Sequence, residues 1–310
     1  MTVLGRNSRS GVSAVTLGIP LALVALLVAS TAHYFLSWEN LTNLSGQMTA
    51  LLIVAFGQLL VALVAGLDLS VGSVMSLATC VVASDASLWI TIPIALAIGI
   101  VVGLVNGSGV ALLGIHPIIM TLSTMTFLQG AAYLLRAVPG GHVPDLLAGS
   151  ARGSVLGVPD SLLWSIVCAL VLAWLLYRSR FGLHLFATGG NPASARLNGV
   201  DAARVCISAY VLCSVFAVLA GLFLSARIAS GDPAAGQSFG LDSVTAIALG
   251  GTQLSGGVGG VIGAITGTIA LGLASNGMNL LNVSPFLQSA AKGLLLIFAI
   301  CAQRRNSVGL

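Results

Sequence analysis

Charged residues are too few in this sequence to coat a surface that faces water. Asp, Glu, Lys and Arg make up 6% of it, where a soluble domain averages about a quarter. With 57% hydrophobic residues and a mean hydropathy of +1.06, the chain is expected to be a polytopic membrane protein, all-α and folded as a single bundle over residues 1–310. A hydrocarbon span closes its backbone hydrogen bonds internally, and a helix does so within one segment. At roughly 20 apolar residues per span, the length allows about eight to ten. Candidate spans are 13–36, 47–66, 70–86, 89–112, 118–137, 161–178, 204–226, 242–255, 259–280 and 286–303. The span at 242–255 is short, is interrupted by Gly250 and Gly251, and reads equally as a re-entrant element. Arg6 and Arg9 precede the apolar run 12–29, which exceeds the ~7–15 residues of a signal-peptide core and reads as an uncleaved first span.

Against this background one long polar segment stands out, from Arg178 to Arg204. It holds four arginines against a single acid, Asp201, and so carries most of the formal net charge of +4. Basic residues mark cytoplasmic loops. The proposed inner side holds Arg6, Arg9, Arg178, Arg180, Arg196, Arg204, Arg304 and Arg305, and the proposed outer side Arg136, Arg152 and Arg227. Both termini are therefore predicted to be cytoplasmic. The basic pI of 9.0 does not point to nucleic acid, because the arginines are dispersed outside the central loop and Lys292 is the sole lysine. The outer loop 138–160 contains Pro139, Gly140, Gly141, Pro144 and Pro159, which exclude one continuous helix.

Three short similarities recur in the same order in the two halves. Gly66-Leu67-Asp68-Leu69-Ser70-Val71 resembles Gly240-Leu241-Asp242-Ser243-Val244. Gly103-Leu104-Val105-Asn106-Gly107 resembles Gly272-Leu273-Ala274-Ser275-Asn276-Gly277. Leu112-Leu113-Gly114-Ile115-His116-Pro117 resembles Leu280-Leu281-Asn282-Val283-Ser284-Pro285. Five candidate spans separate Asp68 from Asp242, so the copies are expected to be inverted in the membrane, as in many transporters. Repeat A covers about 47–137, the coupling loop about 179–203, and repeat B about 204–303.

Polar side chains within spans are Gln58, Asn106, Thr121, Thr124, Gln129, Asn276, Asn279 and Gln288. Each alone reads as an interhelical hydrogen bond. Together they suggest a mildly polar pathway for an uncharged polyol, which needs no buried charge to neutralise it. Asp68 and Asp242 sit at predicted helix ends, where an acid caps the helix that follows, and Ser70 stands beside Asp68 at the same helix end. Glycines four apart at 99, 103 and 107, and at 259, 263 and 267, predict close helix packing. The five cysteines have no metal-type spacing and read as small core residues. No phosphate-binding Gly-Lys-Ser/Thr is present, so this chain does not hydrolyse ATP in that manner. Neither HExxH nor a pair of carboxylates occurs, so an intramembrane enzyme is left with little support. No mid-span carboxylate or histidine suggests ion coupling, although an ion-coupled secondary carrier on the same repeat remains the alternative.

The stretches 66–74 (GLDLSVGSV), 115–125 (IHPIIMTLSTM), 180–200 (RFGLHLFATGGNPASARLNGV), 229–242, 248–267 and 272–288 resemble the permease subunit of bacterial ABC importers of the ribose/xylose/galactose type. Branched-chain amino-acid permeases are related. The resemblance implies a type II importer-like bundle in the bacterial inner membrane, importing a neutral monosaccharide or related polyol. It implies two permease subunits, as a homodimer or with a paralogue, and two ATPase subunits that bind the ATP and Mg. It also implies a periplasmic or lipid-anchored binding protein, and no cofactor in this chain. The segment Gly189, Gly190, Asn191, Pro192, Ala193, Arg196 and Gly199 would hold the coupling helix that docks on the ATPase. Asn191 ahead of Pro192 reads independently as a cap with proline in the first turn.

Overall fold

The computed structural model describes residues 18, 22, 23, 26, 34–84, 86–155 and 157–302. Most of the candidate span 13–36, and Arg6, Arg9, Arg304 and Arg305, lie outside the described residues. Among those described, the chain forms twelve helices and one small hairpin. The first four helices are α1 (Trp38–Leu63), α2 (Val71–Val82), α3 (Leu88–Ala111) and α4 (Pro117–Leu135). Next come α5 (Asp145–Arg152) and a hairpin of β1 (Ser154–Val155) and β2 (Val158–Pro159), with Ser154 opposite Pro159. The central helices are α6 (Asp160–Tyr177), α7 (Arg180–Gly190) and α8 (Pro192–Leu197). The last four are α9 (Ala202–Ile228), α10 (Phe239–Leu249), α11 (Val261–Leu280) and α12 (Pro285–Ala302). Each of the nine candidate spans after residue 40 overlaps one of these helices. Six of them (α1, α3, α4, α6, α9 and α11) are long and apolar enough to cross a membrane, while α2, α10 and α12 are shorter.

Local chemistry sets the ends. Ser37 caps α1 by accepting from the Asn40 N–H, and the helix stops where Ala65 takes φ +60°. Asp201 caps α9, and Ala229 closes it in the left-handed region at φ +52°. The candidate span 242–255 is corrected to a shorter helix, α10, that begins earlier and ends at Gly250; Gly251 follows at φ +82°. This turn makes α10, like α2, a half-length element bounded by irregular backbone.

The two longest helices form the centre. Helix α9 packs on α1, α2 and α3, while α1 packs in turn on α6, α10 and α11. Phe56 of α1 meets Phe216 of α9 edge-on, with centroids 6.4 Å apart. Lipid chains are as apolar as Leu, so association here rests on close van der Waals contact, and the glycines provide it. Gly99, Gly103 and Gly107 of α3 lie against the α9 backbone and side chains from Ile207 to Val218. Gly263 and Gly267 of α11 lie against the α10 backbone around Ala246 and Gly250. Trp89, Phe127, Leu134 and Phe286 on the outer helices point away from the protein, as an apolar perimeter requires.

Segments gather at two opposite ends. Leu63, Gly189 and Gly257 meet at one. At the other, Gly140 and Gly231 exchange backbone hydrogen bonds of 2.9 and 2.8 Å. Arginines at this end serve helix C-terminal carbonyls, which lack intrahelical donors. Arg136 donates to Ala83 at 3.1 Å and Arg152 to Arg227 at 2.9 Å. The proline-rich 138–160 segment holds α5 and the hairpin, pinned by Trp164 Nε1 donating to the Ser150 carbonyl at 2.9 Å.

Candidate functional site

The basic segment 178–204, expected as a loop, is mostly helical. Ser179 caps α7, its Oγ accepting from the Gly182 N–H at 3.2 Å. Gly182 lies against the Leu176 carbonyl, so the chain folds back tightly out of α6. Leu185 and Thr188 are buried, which turns one face of α7 into the bundle. At its end Gly189 touches the carbonyl oxygen of Leu63, the last residue of α1. That carbonyl accepts from the Gly257 N–H at 3.0 Å, and Gly257 itself has φ +76°. Three backbones thus cross where no side chain fits.

Helix α8 begins immediately afterwards. Asn191 Oδ1 accepts from the Ser194 N–H at 2.9 Å, and Pro192 occupies the first turn. Gly199 at φ +78° follows the end, the position where a left-handed residue closes a helix. Of this short helix only Ala195 is buried. Pro192, Ala193 and Arg196 are exposed, and Leu197 is 90% exposed. The Arg204–Asp201 pair at 2.9 Å is also exposed and adds little stability.

A second assembly of polar groups lies inside the bundle, around Asp68 between α1 and α2. Asp68 Oδ1 accepts from the Ser70 N–H at 2.9 Å and from Ser70 Oγ at 2.5 Å. Asn106 Nδ2 donates to Ser70 Oγ at 3.0 Å. The Gln58 amide spans the Asp68 backbone, donating to its carbonyl at 2.9 Å and accepting from its N–H at 3.1 Å. Thr121 and Tyr210 hydroxyls each reach the Leu67 carbonyl at 3.4 Å. Gln58, Asp68, Ser70, Asn106 and Thr121 are all buried. These groups stitch the non-helical 64–70 stretch to α1, α3, α4 and α9, meeting the requirement that irregular backbone at membrane depth be satisfied by protein. Ser70 stands at the start of α2, but its side chain makes no capping bond; Asp68 takes the Ser70 N–H instead.

The other sequence candidates separate. Gln129 Nε2 donates to the Pro233 carbonyl at 2.6 Å, and its Oε1 accepts from Ser73 Oγ at 3.3 Å. With Ser73, Thr126 and Gln237 it lines a cavity of about 370 Å³ between α2 and α4. Thr124 donates to backbone carbonyls of its own helix. Asn276 pairs with Asn40 of α1, donating at 2.8 Å, and Gln288 donates to Asn279 at 2.8 Å. The expected capping role of Asp242 is corrected: it lies within the first turn of α10, and its Oδ2 accepts from Lys292 Nζ of α12 at 2.7 Å. Sequence reasoning passed over Tyr210, Ser73 and Gln237. The sole lysine, Lys292, falls inside the candidate span 286–303, and a lone lysine there is itself a signal of a partner carboxylate.

Apolar perimeter, glycine-packed centre, half-length helices flanked by irregular backbone and an exposed basic helix at one end define a multi-pass membrane protein of the transporter class. A family described as branched-chain amino acid transport system / permease component matches residues 40–300, and the chain belongs to that family. It is therefore a membrane permease component and not the catalytic subunit of such a system. The chain is 34% identical to the ribose import permease protein of Haemophilus influenzae over 92% of its own length and 91% of the relative's. Identity to the ribose import permease protein of Escherichia coli K12 is also 34%, over 93% and 92%. The L-arabinose transport system permease protein of Escherichia coli K12 is 34% identical over 92% and 89%. No solved structure matches the chain.

Proposed function

We propose that this chain is the translocation subunit of an ATP-driven bacterial inner-membrane importer for a neutral sugar, with α8 as the helix through which the motor acts. The sugar reading rests on relatives named for ribose, allose and L-arabinose transport, each aligned over more than nine-tenths of this chain, and on uncharged polar groups such as Gln129 and Gln237 at the α2–α4 cavity. The observation that carries the motor reading is the seating of α8. An exposed helix bearing Arg196 and Leu197 is joined through Gly189 to the end of α1 by backbone contact. Force applied to α8 is passed to the central helix with no flexible side chain between them.

In this reading the 178–204 end is cytoplasmic, both termini are cytoplasmic, and ATP and Mg are held by partner ATPases. A second permease copy or paralogue completes the pathway, and a binding protein delivers sugar at the opposite end, near the 138–160 segment. Residues 47–137 and 204–303 act as inverted repeats. The exchange of partners supports this, since α9 packs on α2 and α3 of the first half while α1 packs on α10 and α11 of the second. ATP-driven movement of α8 would rock the halves and open the path alternately to each side.

The test is purification of the tagged chain from its membrane in mild detergent, followed by reconstitution. A P-loop ATPase recovered in comparable amount, and an Arg196→Glu variant that keeps ATP hydrolysis but loses sugar uptake, are the expected results. Recovery of the chain without an ATPase, or wild-type uptake by Arg196→Glu, would overturn the motor reading.

A further inference from the structure

The ion pair between α10 and α12 is not absorbed by the packing already described. Charge set among apolar helices is costly and typically marks function, yet Asp242 and Lys292 are not sealed in. Their side chains keep 13% and 24% exposure, and both line a cavity of about 200 Å³ with Ser238, Thr245 and Ser289. Pockets for drug-sized ligands run about 300–1,000 Å³, so this one suits a smaller solute.

Its chemistry is selective. An ammonium has three N–H donors; one is given to Asp242 Oδ2 at 2.7 Å, which leaves two. Ser289 donates to the Pro285 carbonyl at 3.0 Å and Thr245 to the Leu241 carbonyl at 2.9 Å. With their protons committed to the helix, both hydroxyls can act toward a ligand only as acceptors. The pair is formally neutral, which disfavours a charged ligand, while paired donors and acceptors match hydroxyl groups that each both give and take a hydrogen bond. The position is equally informative. Gln237 lines the α2–α4 cavity and the next residue, Ser238, lines this one. Each cavity lies between a half-length helix and the helix two further on, α2 with α4 and α10 with α12.

We propose that the Asp242–Lys292 cavity is a binding station for a neutral polyhydroxylated solute, lying next to the Gln129 cavity across the Gln237–Ser238 peptide. This deepens the sugar-importer reading and rests on it. The test uses the assembled complex with its ATPase and binding protein in proteoliposomes. Ser289→Cys is introduced in a Cys301→Ser background, which removes the exposed native thiol, and labelled with a small water-soluble methanethiosulfonate. D-ribose, D-allose and L-arabinose are the probes. The transported sugar should slow labelling about tenfold when present at about ten times its half-saturating concentration. Lys292→Met should raise the KM for uptake about tenfold or more, the loss of a charged hydrogen bond. Equal labelling with and without a sugar that the complex demonstrably takes up would overturn the station alone. Uptake of none of the three would overturn the sugar reading and the station with it.

Discussion

A Cβ placed on Gly189 would overlap the carbonyl oxygen of Leu63, while one on Gly190 would meet nothing within 4 Å. Adjacent glycines in the same segment therefore have opposite tolerance. Gly189→Ala must push α7 away from α1, and overpacking of this kind costs about 1–3 kcal/mol. It should reduce coupled uptake sharply while ATP hydrolysis by the complex persists, and Gly190→Ala should keep wild-type uptake. Uptake and ATPase rates measured on the same proteoliposomes check the contrast. Equal behaviour of the two variants would show that the contact transmits nothing.

The packing of α3 on α9 makes a similar comparison possible in the middle of the bundle. Gly103 lies directly on the Val211 backbone, whereas Gly130 of α4 has no neighbour within 4 Å of an added Cβ. Gly103→Leu should lower the melting temperature in detergent by many degrees or abolish monodisperse protein. Gly130→Ala should stay within about 0.5 kcal/mol of wild type. Size-exclusion profiles with a thermal-shift measurement decide it.

The fold was legible where one side chain or its absence dictates local geometry. Helix positions followed from apolar runs, the close packing of α3 (though not its partner α9) from glycines spaced four apart, and the α8 start from Asn191-Pro192. What stayed hidden depended on residues distant in sequence. Nothing near Asp242 in the chain signals Lys292, fifty positions away, and a first-turn acid looks the same in sequence whether it faces a backbone N–H or an ammonium. Likewise Gln58, Asn106 and Thr121 read in sequence equally as pathway lining or as interhelical braces, because composition does not say whether a buried amide faces a cavity or braces a neighbouring backbone. The helical character of 180–190 was obscured by its charge, since the buried face of α7 rests on Leu185 and two glycine-sized gaps rather than on a long apolar stripe.

At the Asp68 node two oxygens, Asp68 Oδ2 and Asn106 Oδ1, are buried without a partner. Asp68→Asn keeps the oxygen that serves Ser70 and replaces an orphan acceptor with an N–H₂ donor in the same node. Asp68→Ala removes the acceptor for both the Ser70 N–H and its hydroxyl. Leaving such groups buried and unpaired costs about 1–3 kcal/mol each. Asn should therefore match wild-type melting and Ala should fall well below it. If both variants melt alike, the hydrogen bonds to Ser70 do not hold the break between α1 and α2.

Order in α8 and the charge it carries are separable. Asn191 Oδ1 satisfies the Ser194 N–H, and a helix of six residues has little else to hold its first turn. Asn191→Ala should cost about 1 kcal/mol of local helix stability and lower uptake by several-fold. Asn191→Ser or Asn191→Asp, which retain a capping oxygen, should restore it. Arg196→Glu leaves the cap intact but reverses the exposed charge, so a capping residue at 191 cannot rescue it. The decisive measurement is uptake per ATP hydrolysed across these four variants. Rescue by Ser and Asp would assign Asn191 to ordering α8. Failure of every residue but Asn at 191 would mean that its amide contacts the motor directly.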